Sequence, residues 1–162
     1  MVYEVETFAY KSFVFKDGVE VIRVKNSDFM PIYAGYKFYI NDELVLRVRH
    51  FWIFVLWRYT RIAEQHMPEK ISIRWNGTYV LKGFWGDKRV KVTLSPLLKN
   101  QMDLEVNDEM MSNLRVKPSG DGPTLSGAKG YCRKYDAIFD TDSDENLYYI
   151  LFFFLKMTPV GF

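Results

Sequence analysis

The segment Leu147-Tyr-Tyr-Ile-Leu-Phe-Phe-Phe-Leu155 is apolar without interruption, and an acidic stretch, Asp140-Thr-Asp-Ser-Asp-Glu-Asn146, precedes it. A run that is apolar on every side must be buried on every side or cross a membrane. Nine residues fall well short of the roughly 18 that a bilayer crossing needs. The segment is therefore expected to be a core element that the rest of the chain encloses. Asp142, Ser143 and Asp144 suit a helix start, where side-chain oxygens accept orphan N–H groups and negative charge meets the positive end of the dipole. Only Ile150 is β-branched. These cues favour a helix over Leu147–Met157, stopped by Pro159, and leave a buried strand as the alternative.

What would enclose it reads as β-structure. The 162 residues suit one domain, 1–162, with a flexible loop at 118–130, where Gly and Pro concentrate. Phe, Tyr and Trp make up 17% of the chain, too many for a disordered protein and favourable for strands. Phe13–Lys16 and Val19–Lys25 flank Asp17-Gly18, which supplies the positive φ angles of a two-residue hairpin turn. Tyr36–Ile40 and Glu43–Arg49 flank Asn41-Asp42 in the same way, and Lys70–Trp75 and Thr78–Trp85 flank Asn76-Gly77. Val2–Tyr10 is a weak first strand. Phe51–Trp57 reads as one strand buried on both faces and continuing to Ile62, with a helix the alternative that periodicity leaves open. Gly86-Asp87 is a further turn, leading into Lys88–Leu94. Ser95–Lys117 is open between two short strands around Asn107-Asp108 and a helix through Glu109–Leu114. Tyr131–Phe139 closes the set of strands.

Chemistry is hard to find in this sequence. Gly122-Pro-Thr-Leu-Ser-Gly-Ala-Lys-Gly130 resembles a phosphate-binding loop, but Ala128 separates Gly127 from Lys129 and no hydroxyl follows the lysine. A surface loop is the expected reading. Asp140, Asp142 and Asp144 begin like a calcium loop, yet its sixth and twelfth positions are Glu145 and Leu151, where Gly and Glu are required. His50 and His66 are not spaced as a metal pair, and the single cysteine, Cys132, completes neither a zinc site nor a disulfide. Nothing local supports a catalytic triad. Asn76-Gly-Thr78 matches a glycosylation acceptor, but the turn explains the same residues. At least two of Trp52, Trp57, Trp75 and Trp85 are expected in the core. No cofactor, metal or catalytic residue is expected.

Charge is more informative. Lys11–Asn100 carries 16 basic residues against 8 acidic, whereas Gln101–Phe162 carries 6 against 10. A basic body attracts anionic surfaces, although outward lysines and arginines also protect strand edges. Arg47, Arg49, Lys88, Arg89 and Lys91 are the candidate anion- or lipid-binding residues, read as alternating with apolar neighbours and pointing away from the core. They form one patch if their two strands are neighbours. No nucleic-acid recognition module is present, which disfavours that partner. The first ten residues lack the basic region and apolar core of a signal peptide, and no segment is long enough to span a membrane.

The succession of hairpins, such as Tyr36–Arg49 and Lys70–Trp85, followed by Asp144-Glu-Asn-Leu-Tyr-Tyr-Ile-Leu-Phe-Phe-Phe-Leu155, resembles the tubby C-terminal-like superfamily, which includes phospholipid scramblases and LURP-one-related proteins. The resemblance implies a closed antiparallel barrel threaded by a hydrophobic helix near the C-terminus. It carries over no site residue. The expectation is thus a mainly β domain, a single antiparallel barrel or strongly curved sheet with a buried C-terminal hydrophobic helix. Its expected role is non-enzymatic, a cytoplasmic or membrane-peripheral binding or scaffold protein with anionic phospholipid or a protein as partner. The alternatives are a small-ligand carrier or enzyme with its site at the barrel mouth, or a subunit of a larger assembly.

Overall fold

A computed structural model describes residues 1–30, 33–54, 57–95, 101–117 and 124–157, with backbone only at 27–30, 33, 52–54 and 57–59. Twelve strands follow in chain order: β1 (Val2–Thr7), β2 (Lys11–Lys16), β3 (Val19–Met30), β4 (Tyr33–Ile40), β5 (Glu43–Phe54), β6 (Trp57–Gln65), β7 (Ile71–Asn76), β8 (Val80–Trp85), β9 (Lys88–Leu94), β10 (Met102–Val106), β11 (Glu109–Val116) and β12 (Arg133–Phe139). One helix, α1 (Asn146–Met157), ends the described chain. The strands form a single sheet in the order β6-β5-β4-β3-β2-β1-β12-β11-β10-β9-β8-β7. Every paired neighbour is antiparallel, and the first strand pairs with the last. The sheet curls into a nearly closed barrel. Among the described residues, no helix is long and apolar enough to cross a membrane.

Turn chemistry accounts for much of this path. Asp17 and Gly18, Asn41 and Asp42, and Asn107 and Asp108 all take positive φ, as tight two-residue hairpin turns require. The Asn107-Asp108 turn settles the open region in favour of two strands. Gly86 also takes positive φ, between Trp85 and Lys88, which pair directly. Asn76-Gly77 departs from the expected two-residue turn. The strands stop at Asn76 and resume at Val80, with the Gly77 amide donating to the Val80 carbonyl at 2.9 Å. The Trp75 indole occupies the space over Gly77, 2.6 Å from where a Cβ would lie.

Phe51–Trp57 is corrected more strongly. It is not one strand: β5 ends at Phe54, β6 begins at Trp57, and those two residues pair across a hairpin. The segment holds no Gly, Pro, Asn or Asp to announce a turn. Pairing with the rest of the sheet decides the matter instead.

The barrel interior belongs to α1. Tyr149 through Lys156 are all buried, and eight successive residues at 100° apiece cover every direction around a helix axis. Phe154 meets Phe38 of β4 edge-on, while Tyr148 and Tyr149 pack on Trp85 of β8. Inward residues of the wall, among them Tyr3, Val14, Ile22, Phe38, Leu46 and Leu104, complete one core. At its start the helix is tied down locally. Ser143 accepts from the Glu145 amide through Oγ and from the Asn146 amide through its carbonyl. Asn146 Nδ2 donates to the Thr141 carbonyl at 2.8 Å. Lys156 in the last turn complements the negative end of the dipole. Pro159 lies outside the described residues.

A plain antiparallel meander alternates its connections between two rims. One rim holds the β2–β3, β4–β5, β8–β9 and β10–β11 turns together with the start of α1. The other holds the β1–β2, β7–β8 and β11–β12 connections and the far end of α1. Among the described residues there is no ladder pairing between β6 and β7. A side chain spans that seam: Gln65 Nε2 donates to the Ile71 carbonyl at 3.0 Å, and Gln65 Oε1 accepts from the Ile71 amide at 2.7 Å.

Candidate functional site

The pleat turns alternate residues of each strand outward. On β2 to β5 those outward positions align by register. Lys11 lies opposite Lys25, Lys25 opposite Lys37, and Lys37 opposite Arg47. Their neighbours Val24, Tyr36, Phe38, Leu46 and Val48 are buried in the core, which fixes the direction of the four cations. At about 4.8 Å per strand the row spans about 14 Å. Like charges directly opposite on neighbouring strands oppose pairing. Among the described residues Lys11, Lys25 and Lys37 have no carboxylate within ion-pair distance; Lys25 instead lies 5.7 Å over the Tyr39 ring. Only Arg47 has such a partner, Glu64 of β6, at 3.7 Å. Toward the rim of the β1–β2, β7–β8 and β11–β12 connections a second like-charge pair follows, Arg49 opposite Arg61. Arg49 also faces Gly35, which puts no side chain beside it.

The opposite wall is built differently. Arg89 pairs with Asp108 at 2.8 Å, Lys91 with Glu105 at 3.2 Å, and Lys117 with both Glu4 and Asp136 at 3.2 Å. Burial pulls the Lys117 ammonium down, but its two carboxylates outweigh it and leave the pKa above the ordinary lysine value. Cations there are matched, whereas Lys11, Lys25 and Lys37 of the β2–β5 row are not, although Lys16 and Arg23 on the same strands pair with Asp142 and Glu20.

Five residues were singled out from the sequence, and the structure does not bring them together. Arg47 and Arg49 lie on β5, Lys88, Arg89 and Lys91 on β9, with β6, β7 and β8 between them on the seam side. Lys88 also does not face outward. It pairs with the buried Trp85 and shares the inward face with Val90 and Val92, so it stands at the barrel mouth. Its ammonium lies 3.3 Å from Glu145 and 5.0 Å over the Trp85 ring. Burial lowers its pKa, the Glu145 and Tyr149 hydrogen bonds raise it, and the balance is upward. Lys88 therefore anchors the helix start.

Lys11, Lys25 and Lys37 went unrecognised in the sequence. Each sits in a different strand, and only register aligns them. The signal was present in part, because the first two hairpin turns fix the β2–β3 and β4–β5 registers. The β3–β4 connection, Pro31 and Ile32, lies outside the described residues.

Other candidates resolve plainly. Asp142 bonds to Lys16 at 2.8 Å and belongs to the helix start. His50 is buried, bonded to Thr60 Oγ1 at 2.8 Å and edge-on to Tyr36. His66 is exposed, and its backbone amide extends the β5–β6 pairing to the Val45 carbonyl. Among the described residues no group of three or more His, Cys, Asp or Glu could hold a metal ion. Of the tryptophans, Trp85 is in the core and Trp75 is exposed; the side chains of Trp52 and Trp57 lie outside the described residues.

Residues 118–123 of the Gly-rich loop also lie outside the described residues. Its described part, Thr124–Gly130, covers an outer apolar cluster of Phe8, Phe13 and Phe15, with Ala128 and Cys132 packed against it. Glu6 is buried beneath, its carboxylate accepting from the Leu125 and Ser126 amides at 2.8 and 3.0 Å. Burial and the Glu6 charge both push the Cys132 thiol up. Beside this loop a cleft of about 210 Å³ opens between Tyr10, Lys11, Lys129, Tyr131 and Arg133.

No family model, curated protein or solved structure matches the chain.

Proposed function

We propose that this protein is a non-enzymatic binding domain that associates with anionic lipid through the outer face of β2 to β5. The observation that carries this reading is the row Lys11–Lys25–Lys37–Arg47, three of whose members have no carboxylate partner among the described residues. Like-charge neighbours cost a free sheet stability, and an anionic occupant reverses the sign of that term. The interior is filled by α1, so contacts with a ligand are made from outside. A barrel enclosing a C-terminal helix also keeps membership of the tubby C-terminal-like superfamily as a proposal. At about 1 kcal/mol per basic residue near an anionic membrane, four cations supply about 4 kcal/mol.

Vesicle flotation tests the reading. Binding is expected to phosphatidylcholine vesicles that contain phosphatidylserine, and not to phosphatidylcholine alone. Lys25→Glu with Lys37→Glu is expected to weaken it by about 30-fold or more, at about 1 kcal/mol per lost cation. Absence from both floated fractions, or unchanged binding by the double variant, counts against it.

A further inference from the structure

The cleft of about 210 Å³ lies at the rim where β1 turns into β2, and three cations reach it from different directions. Lys11 comes from the outer face of β2. Arg133 stands two residues before the buried Tyr135 and so shares the inward side of β12. Lys129 comes from the end of the loop that precedes β12. Gly130 takes φ 112°, a conformation left to glycine, and this turn brings both Lys129 and Tyr131 to the cleft. Among the described residues no aspartate or glutamate lines it. Glu6 is buried beneath the loop, with its carboxylate turned to the Leu125 and Ser126 amides. The Tyr131 and Tyr135 hydroxyls lie beside the Arg133 guanidinium and favour its charged form. Tyr10 and Tyr131, 69% and 79% exposed, keep their rings in water although both line one concave surface.

We infer that this cleft binds a phosphate monoester carried on a single aromatic ring. Charge selects the phosphate. A carboxylate or a sulfate ester answers one of the three cations, whereas a phosphate monoester carries about −1.5 to −2 at pH 7. The Arg133 fork matches two phosphate oxygens, and the two ammonium groups act as point charges. The tyrosines select the ring, because aromatic pairs attract beyond the area they bury. Volume sets the size. Pockets that bury drug-sized ligands run about 300–1,000 Å³, so a cleft of about 210 Å³ suits one ring and its phosphate. The inference is independent of the lipid reading, with which it shares only Lys11.

Calorimetric titration of the full chain with phenyl phosphate tests it. One phenyl phosphate per chain is expected to bind. Phenyl sulfate, of the same shape with a single charge, is expected to bind about tenfold more weakly. Inorganic phosphate, which lacks the ring, is expected to bind at least about threefold more weakly. Lys129→Gln and Arg133→Gln are each expected to weaken phenyl phosphate about tenfold. Tyr10→Ala is expected to weaken it about threefold and to leave inorganic phosphate unchanged. Lys129 and Tyr10 are exposed, so their variants decide the matter even if Arg133→Gln misfolds. Lys91→Gln, on the opposite wall, is expected to change nothing. No saturable binding below about 10 mM phenyl phosphate overturns the inference. Equal affinity for phenyl sulfate, or unchanged binding by Lys129→Gln, does so too. Displacement of phenyl phosphate by vesicles of phosphatidylcholine with phosphatidic acid, which has the phosphate without the ring, assigns the cleft to a lipid head group and also overturns it. A short phosphotyrosine peptide separates the sources of the group. Binding at least about tenfold tighter than phenyl phosphate names a protein as its carrier, equal binding names a free ester, and both uphold the site.

Discussion

Gln65 supplies with one side chain what a ladder supplies with backbone. Its amide offers a donor and an acceptor to Ile71, the pair of groups that a neighbouring strand residue would present. Gln65→Ala leaves both Ile71 groups without that partner. We expect a loss of about 1–3 kcal/mol in urea-denaturation midpoints, and a smaller loss for Gln65→Glu, which can still accept from the amide but not donate to the carbonyl. At this scale the sequence misleads in a consistent way. Lys88 stands two residues before Val90 and so shares its inward face, and simple parity would have separated it from Arg89 and Lys91. Gln65 gives no advance sign, because a half-buried glutamine in a polar stretch has no distinctive pattern until the facing strand is known.

Elements were legible where turn chemistry is strong. Asp17-Gly18, Asn41-Asp42 and Asn107-Asp108 sit at positive φ because aspartate, asparagine and glycine tolerate it, and each sets the strands on both sides. Where turn residues are missing, as between Phe51 and Trp57, a hairpin was read as a strand. Helix α1 was legible from its acidic approach and from its apolar, mostly unbranched composition. Phe153 is wholly buried, and Phe153→Ala is expected to cost about 3–5 kcal/mol by calorimetry or denaturant titration. The loop over β1 and β2 offers a second test. Glu6→Ala removes the acceptor of two loop amides and the charge that raises the Cys132 thiol. Both effects favour the reactive thiolate, so labelling of this sole cysteine is expected to quicken about threefold or more.

At the scale of the whole molecule the barrel has two unlike walls and two unlike rims. One wall carries Lys11, Lys25 and Lys37 in register without carboxylate partners among the described residues, and the other pairs Arg89, Lys91 and Lys117 with acids. Binding to anionic vesicles is therefore expected to fall as ionic strength rises, and Lys91→Glu is expected to change it by less than about threefold, because Lys91 is already neutralised by Glu105. The basic excess of Lys11–Asn100 was visible in composition. The alignment of Lys11, Lys25, Lys37 and Arg47 across β2 to β5 was not, since that depends on which strands become neighbours.

The order of elements along the chain has a consequence for biosynthesis. All twelve wall segments leave the ribosome before the segment that fills them. A nascent chain that has finished its hairpins still lacks the unbroken apolar run Leu147–Leu155, and any message truncated before residue 146 yields a shell around nothing. Such a product exposes inner faces that the finished barrel never shows, so folding of the shell waits on synthesis of α1.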